Sequence, residues 1–202
     1  MMHKKNFLIV WLAVLLIGQV LIGADLYFPG GITPVRSGSG ANIVVDDDGG
    51  RDYATIQSAI NNAVIGDILY VHAGTYNENI VVNKAITIIG NGSLDTIVSG
   101  GGAGDVVRVT ASWVNISGLK IINSGSNSND GGLELDNVDH CRVTDNVITN
   151  NYQGLRLISA NYNYVANNQA NSNTLYGVYI TSSSNNTVDN ILSSPTTMTG
   201  FV

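Results

Sequence analysis

Residues 136–142 contain the side chains that acid–base chemistry needs, since Asp136, Asp139, His140 and Arg142 fall within seven positions. Carboxylates stabilise a charged imidazole, and histidine is the side chain that exchanges protons near neutral pH. Asp136, Asp139 and His140 are therefore candidate catalytic residues. The same stretch, DNVDHCR, also fits a polar turn in which Asn137 and the aspartates bond the local backbone. The sequence offers no second cluster to stack beside it, which favours the turn.

Three consecutive aspartates, Asp46, Asp47 and Asp48, form the second candidate site. Closely spaced carboxylate oxygens are hard ligands that suit calcium, and Asp52 follows nearby. The run also suits a solvated turn that leads into a helix, because the positive end of a helix favours acidic residues. The turn is the favoured interpretation, with calcium as the only cofactor that the sequence suggests.

A third set of polar residues lies inside a repeated pattern. A glycine followed by an alternating apolar triplet occurs four times, at Gly132-Leu133-Glu134-Leu135, Gly154-Leu155-Arg156-Leu157, Gly177-Val178-Tyr179-Ile180 and Gly200-Phe201-Val202, with spacings of 22, 23 and 23 residues. The residues between the apolar positions are Glu134, Arg156 and Tyr179. The earlier segment VRV adds Arg108 if Val107 aligns with Leu133.

A second landmark repeats in phase with the first. Val143, Val165 and Val188 follow one another at intervals of 22 and 23 residues, and Ile116 precedes Val143 by 27. The extra residues of that longer interval fall in the polar segment 124–130. A repeat of about 22 residues with several short strands predicts a coil whose successive turns pair in parallel, a parallel β-helix.

In this register, residues one period apart become neighbours in a column, about 4.8 Å apart. The predicted inward columns are Leu133, Leu155 and Val178, and Leu135, Leu157 and Ile180. Asparagine is expected at the corners, because it tolerates left-handed backbone angles and its amide can bond equivalent amides in ladders.

The predicted outward column is Arg108, Glu134, Arg156 and Tyr179. Placed in a line on an exposed face, these side chains would suit recognition of a polysaccharide. The alternative is that opposite charges on adjacent strands stabilise the sheet, by roughly 0.2 to 1 kcal/mol per pair, and that tyrosine favours β surfaces.

One helix is expected, over residues 53–63, where Ile56, Ala59, Ile60 and Ala63 recur at helical spacing. Such a helix would cover the open apolar end of the first coil and so prevent edge-to-edge aggregation. The given sequence stops at Val202, early in an alternation of apolar and polar residues. This predicts that a C-terminal remainder of the same protein completes the last coil.

The first 24 residues predict export. Lys4 and Lys5 precede the apolar run of residues 7–22, which is typical of a secretory signal peptide or, if uncleaved, of a membrane anchor. Residues 25–41 have the composition of a linker, and 42–202 form the β-helix domain. Contact with a membrane is expected only through the N-terminal segment.

Charge and cysteine content exclude some functions. Two of the nine basic residues and no acidic residue lie in the signal, so its removal changes the net charge from −6 to −8. Nucleic acid is therefore not an expected partner, because phosphate binding needs clustered Lys and Arg. The only cysteine, Cys141, cannot form an internal disulfide, so the stability of the domain must come from packing.

Three segments resemble the secreted right-handed β-helix proteins of the pectin-lyase-like superfamily, in particular NosD-type and archaeal cell-surface β-helix proteins. These are DYATIQSAI at 52–60, GDILYVHAGTYNENIVVNKAITIIGNG at 66–92 and WVNISGLKI at 113–121. The resemblance covers nearly all of residues 43–202. It implies an all-β, right-handed, single-stranded parallel β-helix with an N-terminal capping helix, outside the cytoplasm.

The resemblance implies less about activity, because the superfamily includes lyases, hydrolases, esterases and surface proteins without enzymatic activity. The hydrolase signatures NTD, a coil-borne DD and GHG are absent from this sequence. NosD-type proteins suggest copper, but the few soft ligands are scattered along the chain. The favoured hypothesis is a non-catalytic module that binds polysaccharide or surface partners. The alternatives are a structural stalk, or the N-terminal part of a lyase or hydrolase whose catalytic coils lie beyond residue 202.

Overall fold

The computed structural model describes residues 40–194. Its elements, in chain order, are β1 (Asn42–Val45), α1 (Ile56–Asn62), β2 (Ile68–Val71), β3 (Gly74–Asn77), β4 (Ile80–Val82), β5 (Thr87–Gly90), β6 (Thr96–Ser99), β7 (Val107–Val109), β8 (Asn115–Ser117), β9 (Lys120–Ile122), β10 (Gly131–Asp136), β11 (Arg142–Thr144), β12 (Val147–Ile148), β13 (Gln153–Ile158), β14 (Tyr164–Ala166), β15 (Gln169–Asn171), β16 (Tyr176–Thr181), β17 (Thr187–Asp189) and β18 (Leu192–Ser194). The predicted signal or anchor and nearly all of the linker lie outside the described residues, so the predicted domain division stays a prediction.

The strands form three parallel sheets. Sheet A has the order β1-β2-β5-β8-β11-β14-β17, sheet B has β3-β6-β9-β12-β15-β18, and sheet C has β4-β7-β10-β13-β16. From β2 onward the chain visits sheets A, B and C in turn and then returns to A, so each circuit is one coil. The predicted all-β, right-handed parallel β-helix is confirmed, with one short helix among the described residues.

The core is the interior of the coil, where the predicted apolar columns stack. In the first column, Leu133 pairs with Leu155, which pairs with Val178. In the second, Leu135 pairs with Leu157, which pairs with Ile180. All six side chains are buried. Because each coil supplies apolar side chains to the same interior, the coils form one continuous hydrophobic core.

One connection is longer than its counterpart in the next coil, at the segment predicted from the sequence. Ile121 pairs with Ile148, and Leu133 pairs with Leu155, so the connection from β9 to β10 is five residues longer than the connection from β12 to β13. We refer to residues 124–130 within this connection as the long loop.

The helix α1 is attached to the first complete coil at both ends. Thr55 is its N-cap and accepts a hydrogen bond from Ser58 N, so the helix begins three residues later than predicted. The carboxylate of Glu78 accepts hydrogen bonds from the first two helical amides, and Lys84 Nζ donates to three carbonyls at the other end. The apolar face of α1 packs against β1, β2 and β4, as a capping helix requires.

Asparagine has two distinct roles at the corners. Some asparagines, such as Asn167 with φ of 57°, adopt the left-handed backbone that the turn needs. The side chain of the residue that directly follows such an asparagine points into the interior of the coil. Asn168, for example, is fully buried, and its Oδ1 accepts from the backbone N and from Nδ2 of Asn146 one coil below. Asn151 and Asn173 form the same backbone contact at another corner. The predicted ladders are therefore present at the buried positions, and the left-handed Asn190 and Asn167 also bond each other, with Asn190 Nδ2 donating to Asn167 Oδ1.

Within residues 40–194, the helix is too short and too polar to cross a bilayer. The predicted anchor at residues 7–22 lies outside this part of the chain.

Candidate functional site

Sheet C brings the predicted outward column into register. Glu134 lies between Arg108 on β7 and Arg156 on β13, and Arg156 pairs with Tyr179 on β16. The alignment of Val107 with Leu133, on which the inclusion of Arg108 depended, is observed. The four side chains therefore follow one another along the outer surface of sheet C, one per coil.

The column is not uniformly exposed, which corrects the expectation of an open face. The side chain of Arg108 is 49% exposed, whereas those of Glu134 and Arg156 are 8% and 7% exposed. The long loop accounts for this burial, since Arg156 Nη1 donates to the carbonyl of Asn129, and Gln153 Nε2 donates to that of Ser128. A sequence repeat gives the direction of a side chain but does not show that an inserted loop folds back over it.

An ion-pair network links the column. Arg156 Nη1 contacts Glu134 Oε2 and lies 3.6 Å from Asp105 Oδ1. Arg108 Nε lies 3.5 Å from Glu134 Oε1, and its Nη2 pairs with Asp136. Five charged side chains from three coils are thus joined.

Asp105 is a member of this site that the repeat pattern does not identify. It precedes β7, outside the alternating triplet, and accepts a hydrogen bond from the backbone N of Gly131. The only feature of the sequence that could have indicated Asp105 is its position, since it is an acidic residue two positions before β7, a strand of the polar column. Gly131 makes room for the network, because a Cβ there would lie 2.7 Å from Cδ of Arg156.

Burial changes the acidity of the two carboxyl groups nearest Arg156. Loss of hydration raises the pKa of Asp105, with the Gly131 hydrogen bond and Arg156 opposing the shift. The pKa of Glu134 is also raised, first by burial and then by the negative charge of Asp105. The hydrogen bond to Asp136 raises the pKa of Arg108, which keeps that guanidinium charged.

These residues line a groove of about 580 Å³ on sheet C. Its lining includes Gly104, Asp105, Arg108, Asn129, Glu134 and Arg156, so residues of the long loop and of the connection before β7 both contribute. Among the described residues, two buried polar atoms lack a hydrogen-bond partner, and both belong to β13: Nε of Arg156 and Oε1 of Gln153. A buried N–H donor without an acceptor costs free energy, which an oxygen atom of a ligand would recover.

The last coil contributes an aromatic pair to the same sheet. The rings of Tyr176 and Tyr179 stack with centroids 5.5 Å apart, and both side chains are partly exposed. Tyr179 continues the column from Arg156, so the sheet changes from charged to aromatic along the coil axis.

The residues predicted as an acid–base cluster have separate partners in the structure. Asp136 pairs with Arg108, and Asp139 Oδ1 accepts a hydrogen bond from the backbone N of Asn161. His140 stacks against the ring of Trp113. These contacts join neighbouring coils and not the local backbone of the expected turn, and a catalytic role for these residues stays a prediction.

The three aspartates at 46–48 offer oxygen atoms that lie within 4.8 Å of one another. Two of the carboxylates already have protein partners: Asp46 contacts His72 Nδ1, and Asp47 accepts from the backbone N of Thr75. These contacts fasten the entry segment to the first coil, and calcium binding stays a prediction.

A scan against protein families matches residues 60–201, more than half of the chain, to the family described as "Periplasmic copper-binding protein (NosD)". A cell surface glycoprotein of Methanothermus fervidus is 34% identical over 114 residues, which cover 55% of this chain and 18% of the glycoprotein. Pectinesterase 2 of Citrus sinensis is 45% identical over 65 residues, 30% of this chain and 13% of the enzyme. The chain thus spans less than a fifth of these relatives.

Solved structures share the fold at low sequence identity. Pectin methylesterase from carrot superposes with a TM-score of 0.52 at 20% identity, over 73% of this chain and 53% of the enzyme. The protein ORF18 of Geobacillus virus E2 superposes with a TM-score of 0.54 at 23% identity, over 63% of this chain and 30% of the viral protein. The match over most of the coils, together with the parallel β-helix itself, shows that the chain belongs to the NosD family.

Proposed function

We propose that this chain is an extracytoplasmic β-helix module that binds polysaccharide in the groove on sheet C, without chemistry of its own. The observation that carries the proposal is Arg156, a buried guanidinium in the groove wall whose Nε donor has no partner. Sugar hydroxyl and carbonyl oxygens are acceptors that would satisfy it once the long loop, which covers Arg156, moves aside. The periplasmic description of the family and the cell-surface relative support the location.

The surroundings of Arg156 support a polar, extended ligand. Arg108 is half-exposed at one end of the column and offers guanidinium donors to solvent, and the stacked Tyr176 and Tyr179 lie towards the other end. Aromatic rings contact the apolar faces of sugars, while charged and amide groups bond their hydroxyls. A pectin methylesterase neighbour has been solved in complex with a hexasaccharide, which shows that this fold can hold a sugar chain.

The proposal is tested by glycan-array screening and calorimetry on the full chain. Arg156→Lys keeps the positive charge but removes the Nε donor, so we expect roughly tenfold weaker binding. Arg108→Ala should weaken binding by a similar factor. Arg51→Ala is the matched control, since it removes an exposed arginine that lies between β1 and α1. Absence of binding to every glycan at millimolar concentration would contradict the proposal and favour a structural stalk.

Hydrolysis of a polysaccharide ester in the same groove is a second candidate function. Asp105 and Glu134 both contact Nη1 of Arg156, and burial raises the pKa of both. A carboxyl group with a raised pKa can act as a general acid while a neighbouring carboxylate acts as a base. The pectin methylesterase relatives make methyl-esterified pectin the first substrate to test. Methanol release that disappears in Glu134→Gln would establish this activity, and its absence would exclude it for this substrate.

The family description names copper, but the described part of the chain has no group of residues that fits a copper site. Within residues 40–194 the soft or imidazole donors are His72, His140 and Cys141. His72 contacts Asp46, and the imidazole of His140 is stacked on the ring of Trp113. Cys141 is buried, which raises the pKa of its thiol and so disfavours the thiolate that a metal needs. Copper binding is therefore not included in the proposed function.

A further inference from the structure

One corner of the coil carries a column of aromatic side chains. Trp113, His140 and Tyr162 each lie two residues before a strand of sheet A, at the corner where the chain arrives from sheet C. The rings of Trp113 and His140 are 4.3 Å apart with an interplanar angle of 9°, and those of His140 and Tyr162 are 5.5 Å apart at 12°. We call these three residues the aromatic column.

The backbone at this corner does not require aromatic residues. All three have left-handed φ angles, between 55° and 65°, and so does Asn185 at the same place in the next coil. At the other left-handed corners of the stacked coils, all the residues are small or polar: Gly118, Asp145, Asn167 and Asn190; Asn123, Asn150 and Ser172; and Asn137, Ser159 and Ser182. Bulky residues are disfavoured at positive φ, so the aromatic column is present despite a conformational cost.

The aromatic column is also a source of exposed apolar surface. Trp113 is 64% exposed and Tyr162 57% exposed, and His140, which is also exposed, has its ring stacked between theirs. Within residues 40–194 the only ring stacked on Trp113 is that of His140, so the opposite face of the indole has no aromatic neighbour. Exposed apolar surface of this kind typically marks a binding site.

The corner of the coil below Trp113 is one residue shorter than the corner that contains Trp113. The connection from Val82 to Thr87 has four residues, whereas the paired connection from Val109 to Asn115, which contains Trp113, has five. The indole therefore lies above a shorter corner.

The geometry points to a second glycan site, in which a neutral pyranose ring stacks on the free face of Trp113. A pyranose ring presents C–H bonds on its face and hydroxyl groups at its edge, which suits a flat aromatic ring bordered by polar groups. Ser112 and Asp139 border the column and are already bonded to each other, Asp139 N donating to Ser112 Oγ. The chain carries a net charge of −6, so long-range electrostatic repulsion disfavours a polyuronate.

Tryptophan fluorescence of the full chain tests this site directly, because the chain has two tryptophans. In the Trp11→Phe variant, Trp113 is the only tryptophan. We expect its emission to change saturably with cellohexaose or mannohexaose and to remain constant with hexagalacturonate. No change with either neutral probe at millimolar concentration would overturn the proposal, as would saturation by the anionic probe alone.

The variant Trp113→Asn separates binding from structure. Asparagine is favoured at positive φ, so thermal stability should be unchanged or higher, while calorimetry should show at least roughly tenfold weaker binding of the neutral hexasaccharide. Arg51→Ala is the control for both measurements. A lower melting temperature with unaltered affinity would show that the ring is structural. Because this site lies at a corner and not in the groove, the fluorescence change of Trp113 should persist in Arg156→Lys, and its loss in that variant would place the neutral hexasaccharide in the groove instead.

Discussion

Arg156 and Glu134 form an ion pair across the neighbouring strands β13 and β10, and both side chains are more than nine-tenths buried. The two strands are adjacent in space only because the coils that contain them are stacked. The long loop supplies a further acceptor for Arg156, the backbone carbonyl of Asn129. A buried charge is tolerated when it is paired and hydrogen-bonded, and it is costly when one partner is removed.

The first prediction concerns the pH dependence of stability. Burial raises the pKa of Glu134 in the folded protein, so the folded state holds a proton that the unfolded state releases once pH exceeds about 4.5. The free energy of unfolding should therefore decrease as pH rises from 4.5 through the raised pKa. Glu134→Gln lacks this titration, and its stability relative to wild type should increase over the same window.

Urea unfolding at a series of pH values measures this difference. Asp48→Asn is the matched control, since it makes the same chemical change at an exposed aspartate. A wild-type curve parallel to that of Glu134→Gln across the whole window would show that the carboxyl does not titrate differently in the two states.

Gly125→Ala should disturb the wall of the groove. A Cβ at this position would lie 2.1 Å from Oδ2 of Asp130 and 2.6 Å from the backbone N of Gly104. Since the backbone cannot easily move away, we expect a loss of roughly 1–3 kcal/mol in unfolding free energy. Thermal unfolding measures it, with Ser126→Ala as an exposed control in the same loop. Equal melting temperatures for the two variants would mean that the loops are not in contact here.

Lys84→Met should loosen the capping helix. Lys84 Nζ donates to the carbonyls of Ile60, Asn61 and Ala63, so its removal leaves the helix end without three charge-assisted hydrogen bonds. The expected loss is about 1–3 kcal/mol. Hydrogen exchange of the amides in α1 should rise before that of the later coils. Lys120→Met on β9 is the control, and the same exchange pattern in both variants would contradict this role for Lys84.

Asn168→Ala should destabilise the stack of coils. Its amide is fully buried, with Oδ1 accepting from Asn146 and Nδ2 donating to the carbonyls of Val143 and Ala166. Truncation leaves these buried groups unpaired, at a cost of roughly 2–4 kcal/mol. Asn167→Gly is the comparison, because glycine keeps the left-handed conformation at the adjacent position. Chemical denaturation should show a large effect for the first variant and a small one for the second.

The fold could be predicted from the sequence because a solenoid repeats its local rules. The two landmarks at Leu133 and Val143 recur with almost constant spacing, and parallel stacking then fixes which residues are neighbours. The longer interval from Ile116 to Val143 also predicted the position of the long loop. The candidate site could be predicted only in part, since the repeat placed Arg108, Glu134 and Arg156 in one column but gave no information about Asp105.

The coil, its register, its inward columns and the direction of each outward side chain could all be read from the sequence, because they depend on alternation and period alone. The coverage of the outward residues could not, because it depends on how the loops fold back over the coils. The long loop folds over Arg156 and leaves Arg108 exposed, and the rings of Trp113, His140 and Tyr162, which the repeat intervals of 27 and 22 residues place at one corner, stack face to face. Loop conformation and contact between distant residues depend on packing across coils, which a local pattern does not encode.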